Sequence, residues 1–222
     1  LVHIGIYGKD LGLMLDALYR YPDVFRIVGM VDPANPSVAD DMKGCLESGV
    51  TGFRIVATSD DASNWLQLPG YNTIFRTAAQ TGQAICPLVH PSGIPEISRM
   101  CGEYPDTVVV LDHMARIGER EAVSEYNINQ LCTLSRHPNV YVKISRLHAL
   151  GIGPPHNDLI PMIMRVIDAF GSERVMWGSD SPYQVTKETY EDSISVVRDR
   201  LGLSESERDQ ILAGTADKVF WR

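Results

Sequence analysis

Apolar, β-rich runs alternate along the chain with segments in which apolar residues recur at helical spacing. In the segment YNINQLCTLSRHPN, for example, Ile128, Leu131 and Leu134 fall on one helical face. Seven runs are typical of strands: LVHIGIYG, FRIVGMVDP, GVTGFRIVA, AICPLVHP, TVVVLDHM, VYVKIS and VMWGSD. Because these runs are almost continuously apolar, both faces of the sheet are expected to be covered, which favours a parallel α/β sheet.

The number of strand–helix units narrows the fold class. Seven units exceed one half of a doubly wound sheet and approach the eight of a (β/α)8 barrel. The first turn carries neither a GxGxxG nor a P-loop motif, so nothing supports a nucleotide-binding fold. The 222 residues are enough for one domain with a sizeable core. The sequence therefore predicts an α/β fold of the TIM-type (β/α)8 barrel class, with seven parallel strands in a single domain that spans 1–222.

Composition and charge limit the classes of partner. The formal net charge of −8 argues against binding to nucleic acid or to an anionic membrane surface. No apolar run reaches the length of a transmembrane helix. The four cysteines form no CxxC pair, and a reducing compartment is the simplest interpretation. We therefore expect a cytoplasmic protein that acts on a small molecule; the sequence is compatible with an oligomer but does not predict one.

Polar residues that are able to do chemistry follow or end most of the strand-like runs. Active-site residues of (β/α)8 barrels lie at the carboxyl ends of the strands, so these side chains are expected to converge on one mouth. Two histidines, several cations and a terminal aspartate suit the hydrolysis of an anionic substrate or of a polarised carbonyl group. In chain order the candidates are Tyr7, Asp10, Arg54, His90, His113, Arg116, Lys143, Arg146, Asp180 and Tyr183.

Several polar residues also have a purely structural interpretation. Asp180 alone could be the N-cap of the following helix, but together with His113 it favours a functional interpretation. His90 could be a hydrogen-bonded histidine at a strand end, and Lys143 a strand lysine that reaches solvent. Asp112 alternates with His113 along the strand and is expected to face the helix layer. Three further histidines lie in loop-like sequence and are expected to be solvated: His137, His148 and His156.

Five stretches, in this order, resemble the amidohydrolase-related group of the metal-dependent hydrolase superfamily: YGKD, VVVLDHMAR, VYVKIS, RVMWGSDSPY and GTADKVFW. Within that group the chain is most similar to the branch of sugar-lactone and 2-pyrone-4,6-dicarboxylate lactonases. The resemblance extends over essentially the whole chain. It implies a (β/α)8 barrel and a hydrolase that opens a lactone or related cyclic ester.

The resemblance also implies roles for individual residues. Asp180 matches the aspartate of the last barrel strand, which acts as general base on the attacking water. His113 matches the histidine that binds or polarises the substrate carbonyl. Substrate contacts are implied for Arg54, Arg146, Tyr7 and Asp10. Their position at the mouth adds His90, Arg116, Lys143 and Tyr183 as candidates for substrate binding, and the cations among them favour a carboxylated or polyhydroxylated ring.

The chain departs from the family pattern at its start. The family begins with a strand that carries a His-x-His motif, whereas LVHIGIYG matches the family's second strand and holds the lone His3. We therefore expect that the first strand–helix unit, of about 30 residues, is missing and that the strand edges at 1–6 and 175–177 are open. Ala115 and Ile117 also replace the glycine and proline frequent in the family's DHMGRP motif.

Without the His-x-His motif, neither the cofactor nor the function follows from the resemblance alone. A metal site of His-x-His, a further histidine and Asp180 cannot be completed from these residues, and the lactonase branch includes members that work without metal. No cofactor is therefore predicted with certainty. One alternative is a zinc-dependent decarboxylase, with zinc bound by His113 and Asp180 in the full-length protein. The others are a hydrolase of amides or esters, and a non-catalytic barrel that binds a ligand or partner.

Overall fold

The computed structural model describes residues 1–8, 10–57, 62 and 64–221. Six parallel strands form one sheet whose spatial order follows the chain. The strands are β1 (Ile27–Met30), β2 (Val50–Val56), β3 (Ala84–Leu88), β4 (Val109–Leu111), β5 (Val140–Ile144) and β6 (Val175–Trp177). The predicted α/β fold with parallel strands is confirmed.

Helices connect successive strands and cover the sheet. They are α1 (Gly12–Arg20), α2 (Val38–Glu47), α3 (Pro69–Thr81), α4 (Ile94–Glu103), α5 (Glu125–Thr133), α6 (Leu147–Leu150), α7 (Ile160–Phe170), α8 (Tyr190–Ser195), α9 (Glu205–Asp209) and α10 (Thr215–Phe220). Two π-helical turns, Val196–Arg200 and Gln210–Gly214, continue α8 and α9. Within the described ranges, no helix combines the length and the apolar character needed to cross a membrane.

The first predicted strand does not form an extended strand, so the prediction of seven strands is wrong by one. Val2 makes a single parallel bridge to Val28 of β1. Two backbone hydrogen bonds support it, from His3 to Val28 and from Val28 to Leu1, both at 2.8 Å. The chain then enters a short 3-10 turn and leaves it at Gly8, where φ is +61°. A glycine adopts this left-handed conformation readily, and the turn ends the run after a few residues.

Alternation along the strands defines an inner and an outer face of the sheet. A cluster of buried side chains on the inner face includes Cys86, Val110, Tyr141 and Met176, and Phe220 of α10 joins it. The outer face carries the larger apolar cluster beneath the helices. In the parallel register Arg54 pairs with Cys86 and Lys143 pairs with Met176. Because paired residues project to the same face, both cations point into the interior.

The sheet is not closed into a complete barrel. β6 lies at one end of the strand order and is hydrogen-bonded to β5. In the part of the chain that the structure describes, no strand pairs with its other edge. This agrees with the open edge expected at 175–177. The indole of Trp177, the last residue of β6, stacks edge-on against Tyr190 of α8, with ring centroids 5.3 Å apart.

Candidate active site

A cleft of about 580 Å³ lies beside the open edge of β6, at the carboxyl ends of several strands. Apolar side chains, among them Phe25, Trp177 and Phe220, form part of its wall. Its polar lining also includes Ser145, which follows β5. Seven of the ten predicted site residues line the cleft: Tyr7, Asp10, Arg54, His113, Lys143, Asp180 and Tyr183.

Asp180 follows β6 and has a left-handed backbone, with φ +60°. Its side chain is 11% exposed and accepts a hydrogen bond from Nη1 of Arg146 to Oδ2 at 3.0 Å. The other oxygen, Oδ1, lies 3.7 Å from Nε2 of His113. The following 3-10 turn, Tyr183–Thr186, has Pro182 at its N-cap and no side-chain cap hydrogen bond. The carboxylate of Asp180 therefore faces other ionisable groups and does not cap this turn.

His113 lies in a strained turn that directly follows β4. The four residues from His113 to Arg116 all have positive φ, between 49° and 56°. This conformation costs a residue other than glycine about 1–2 kcal/mol, so dense packing must hold it. Met114 and Ala115 in the middle of the turn are completely buried. Ala115, where the family frequently has glycine, thus occupies a left-handed position that glycine would adopt more easily.

The turn directs the imidazole of His113 into the cleft. Nδ1 of His113 lies 2.7 Å from Oγ of Ser145, and the ring is almost completely buried. Burial, reinforced by nearby cations, lowers the pKa of His113 to about 3. The imidazole is therefore neutral around pH 7, with one nitrogen paired to Ser145 and the other facing Asp180.

Asp112 lies on the inner side of the sheet, so the expectation that it faces the helix layer is wrong. Its Oδ1 accepts from Nζ of Lys143 at 2.7 Å, and its Oδ2 accepts from Nη2 and Nε of Arg54 at 2.8 and 3.0 Å. Burial opposes ionisation, but the two cations outweigh it and hold the pKa of Asp112 well below its usual range. Side chains do alternate between the two faces along β4. Val110 faces inward, so Asp112, two residues later, faces inward as well.

The aliphatic stem of Lys143 needs space beside β6 to reach Asp112. Gly178 supplies that space, because a Cβ at this position would lie 3.2 Å from Cδ of Lys143 and 3.4 Å from Cβ of Ser145. The glycine in the WGSD stretch therefore allows the chain to pass close over the lysine.

Glu119, which was not among the predicted site residues, connects two of the predicted arginines. Its Oε1 accepts from Nε and Nη2 of Arg146 at 3.1 and 2.7 Å. Its Oε2 lies 3.3 Å from Nε of Arg116. Burial would raise the pKa of Glu119, but the hydrogen bond from Arg146 and the positive charges of Arg116 and Arg146 together outweigh it and lower the pKa. In the sequence, only its position three residues after Arg116, in a loop, indicated that Glu119 could pair with an arginine.

His90 and Arg116 lie outside the main cleft, although they were expected at the same mouth. They line a neighbouring cavity of about 530 Å³, where Nη1 of Arg116 lies 3.5 Å from Nε2 of His90. Arg146 connects the two regions, because it contacts Asp180 on one side and Glu119 on the other. The left-handed turn that brings His113 into the cleft ends at Arg116 and directs it away.

The expectation that His148 and His156 are solvated is wrong. Nε2 of His148 lies 3.7 Å from Oδ2 of Asp180, and burial lowers the pKa of His148 although Asp180 opposes this. The side chains of His156 and Glu188 are completely buried, with 2.7 Å between Nε2 and Oε2. Burial also raises the pKa of Glu188. His137 is only partly buried, and its Nε2 lies 3.1 Å from Oγ of Ser98.

Comparisons with known proteins identify the family of this chain. The family model described as amidohydrolase matches residues 1–222, so the chain belongs to the amidohydrolase family. It is 29% identical over 178 residues to an L-fucono-1,5-lactonase of Burkholderia ambifaria. That match covers 78% of this chain and 61% of the lactonase, so the chain spans about three fifths of the length of this relative.

Solved structures show the same fold. A probable 2-pyrone-4,6-dicarboxylic acid hydrolase from Acinetobacter baumannii, with citric acid bound, superposes with a TM-score of 0.84 at 19% identity. The match covers 100% of this chain and 82% of that one. An amidohydrolase from Burkholderia multivorans with bound zinc gives a TM-score of 0.80 at 23% identity, covering 94% of this chain and 78% of that one.

Amidohydrolases typically use a divalent metal ion, so the fit of the described residues to such an ion matters. Zinc sites in proteins use at least three protein ligands. Within 1–8, 10–57, 62 and 64–221, no group of three or more His, Cys, Asp or Glu side chains could hold a metal ion. The predicted alternative ligands, His113 and Asp180, are close, but the guanidinium of Arg146 already neutralises Asp180 at 3.0 Å. These two side chains alone are fewer ligands than a zinc site needs.

Proposed function

We propose that this chain forms the greater part of a lactone hydrolase in which Asp180 is the general base. The observation that carries the proposal is the pairing of Oδ1 of Asp180 with the neutral imidazole of His113 at 3.7 Å, inside the cleft beside β6. A carboxylate and a neutral histidine in contact with one reacting centre suit water attack on a polarised carbonyl.

The two oxygens of Asp180 have different tasks in this mechanism. Oδ2 accepts the hydrogen bond from Arg146, which fixes the orientation of the carboxylate. Oδ1 points towards His113 and receives a proton from the water as its oxygen attacks the lactone carbonyl. When the ring C–O bond breaks, the same proton passes to the departing alkoxide oxygen. The product is a hydroxy acid, and Asp180 returns to its starting state.

His113 stabilises the negative charge that develops on the carbonyl oxygen. Oγ of Ser145 lies 2.7 Å from Nδ1, and we assign its hydroxyl as the donor in this pair, which leaves the proton of the neutral ring on Nε2. Nε2 can then donate a hydrogen bond to the oxyanion. A donor held in place before the reaction is worth about 10²–10³ in kcat. Lys143 and Arg54 act at longer range, because both are paired with Asp112.

The similarity to L-fucono-1,5-lactonase supports a lactone as the substrate, either hydroxylated or carboxylated. Family membership supports hydrolysis in general, and one structure with the same fold has a small organic acid, citric acid, bound. Tyr7, Asp10 and Tyr183 line the cleft and are proposed to contact the substrate.

The test is a substrate panel with the full-length protein. Hydroxylated and carboxylated lactones are compared with matched amides, open-chain esters and aromatic carboxylates, each with and without a chelator. We expect hydrolysis of lactones that the chelator does not abolish. Preferred turnover of amides, or metal-dependent loss of CO2 from an aromatic acid, would instead favour one of the alternative chemistries. Binding of a ligand without any turnover would favour the non-catalytic barrel.

The role of Asp180 is tested by Asp180→Asn. We expect kcat to fall by about 10²–10⁴, the usual contribution of a general base, while the melting temperature stays near that of the wild type. Asp209→Asn is a matched control, because Asp209 is an exposed aspartate far along the chain. Wild-type kcat in Asp180→Asn would refute the assignment.

A further inference from the structure

Four charged side chains alternate in sign in a row that runs from the candidate site towards the neighbouring cavity: Asp180, Arg146, Glu119 and Arg116. Glu119 lies between the two arginines, with Oε1 on Arg146 and Oε2 towards Arg116. Arg146 uses its remaining nitrogen, Nη1, for Asp180. Two positive and two negative charges give this group a net charge of zero.

The pairing changes the expectation based on the sequence. Arginines at the mouth favoured a carboxylated substrate as much as a hydroxylated one. Both arginines, however, already have carboxylate partners within the chain. A ligand carboxylate that approaches Arg116 or Arg146 would have to displace Glu119 or lie beside it, and two like charges in close contact disfavour binding.

Glu119 is held in this position by the loop that carries it. Gly118 precedes it with φ +93°, and a Cβ there would lie 2.1 Å from the backbone oxygen of Leu150. Only glycine allows the loop to pass this close to the end of α6. The side chain of Glu119 is 19% exposed, so solvent screens its charge only in part.

We propose that Glu119 is a specificity-determining residue that occupies Arg116 and Arg146, disfavours carboxylated ligands and selects neutral, hydroxylated lactones. The inference rests on the proposed function in that it takes the cleft beside Asp180 as the substrate site, and it extends that site past Arg146 to the neighbouring cavity that Arg116 lines. Substitution of Glu119 by an uncharged residue changes the net charge of the four-residue group from zero to +1. The same substitution leaves Asp180, Arg146 and His113 in place.

The binding test uses citrate as the probe and isothermal titration calorimetry as the readout, because it needs no turnover. Wild type is compared with Glu119→Gln, which removes the charge and keeps the shape, and with Glu119→Asp, which keeps the charge. Glu125→Gln is the matched control, since Glu125 is 76% exposed, pairs with Arg165 instead and does not line the cavity of Arg116. We expect Glu119→Gln to bind citrate about tenfold more tightly, the effect of one removed like charge at close range.

Further variants test whether the change in citrate affinity depends on Arg116. Glu119→Asp and Glu125→Gln should bind citrate within about twofold of the wild type. Adding Arg116→Gln to Glu119→Gln should return the affinity to the wild-type value. Equal citrate affinity in Glu119→Gln and Glu125→Gln would overturn the proposal, as would a gain that survives the loss of Arg116. If Glu119→Gln does not fold, as judged by its melting curve, Glu119→Ala removes the same charge and takes its place.

A turnover test separates this inference from the proposed function. The ratio of kcat/KM for a carboxylated lactone to that for a neutral sugar lactone should rise about tenfold in Glu119→Gln, mainly through a lower KM for the anion. If none of the proteins hydrolyses any lactone, the proposed function fails, and the citrate titration still decides whether Glu119 controls anion binding. An unchanged ratio in variants that are active would refute the role of Glu119 in specificity.

Discussion

Asp112 is the residue whose loss should destabilise the protein most clearly, because it is the sole carboxylate bound to both Arg54 and Lys143 in the described interior. The variant Asp112→Asn keeps the size and shape of the side chain and removes its charge. The carboxylate is completely buried, and the side chains of its partners are 9% and 10% exposed. Two cations would therefore remain in the interior without their counter-ion.

The expected loss follows from this geometry. Removing one partner of a buried ion pair costs about 3–5 kcal/mol, and the amide cannot recover it. Its single oxygen can accept from one cation, but its NH2 group then faces the N–H donors of the other. With a urea m-value of about 3 kcal/mol/M, a loss of 4 kcal/mol lowers the urea midpoint by about 1.3 M.

The assay is urea denaturation at pH 7, followed by circular dichroism. Asp106→Asn is the matched control, because Asp106 is an exposed aspartate on the loop before β4. The double variant Asp112→Asn/Lys143→Met, which also removes one cation, should recover part of the lost stability. A depressed pKa contributes stability above the unfolded value and loses it as the pH falls. The gap between wild type and Asp112→Asn should therefore persist down to about pH 4 and close in stronger acid.

One result would refute this reasoning. If the midpoint of Asp112→Asn lies within about 0.3 M urea of that of Asp106→Asn, about 1 kcal/mol at this m-value, the buried cations do not depend on Asp112. Water or another group would then have to stabilise the two cations, and the pairing of charges described for the site would be wrong.

Two further predictions concern His113. Ser145→Ala removes the hydroxyl 2.7 Å from Nδ1, so steady-state kinetics should show kcat reduced by about 10–100-fold with KM unchanged; an unchanged kcat would contradict the donor role. In the folded protein His113 stays neutral down to a pKa of about 3, whereas it binds a proton near pH 6.5 when unfolded. Its contribution to stability is therefore present above about pH 6.5 and falls by about 1.4 kcal/mol per pH unit below it. The free energy of unfolding, measured by urea denaturation between pH 7 and pH 4, should fall with this slope in the wild type. The slope should be smaller in His113→Gln, and equal slopes in the wild type and His113→Gln would refute the prediction.

The fold was largely predictable because strand and helix periodicity are local properties. Six of the seven predicted strands form, in the order and orientation expected for a parallel sheet. The first run failed because apolar composition does not report whether a chain remains extended. Gly8 allowed the backbone to turn after a single bridge at Val2, and no pattern of apolar residues predicts that.

The candidate site was predictable in outline for a topological reason. The carboxyl ends of parallel strands meet at one end of the sheet, so residues such as Arg54, Lys143 and Asp180 had to lie near one another. The predicted positions of side chains were wrong in the loops that follow the strands. A left-handed turn that no propensity predicts carries His113 inward and Arg116 outward, and the buried His156 lay in sequence that resembled a loop.

The sequence by itself determined the elements, their order and the family, because these depend on residue type and on spacing over short stretches. Only the tertiary structure decided which charges are paired. Asp112 binds Arg54 from 58 residues away and Lys143 from 31 residues away, and Glu119 binds Arg146 across 27 residues. The partner of each charge depends on distance and burial in the folded chain, because an unpaired charge in a low-polarity interior costs free energy. The arginines that suggested a carboxylated substrate are for this reason already paired within the protein.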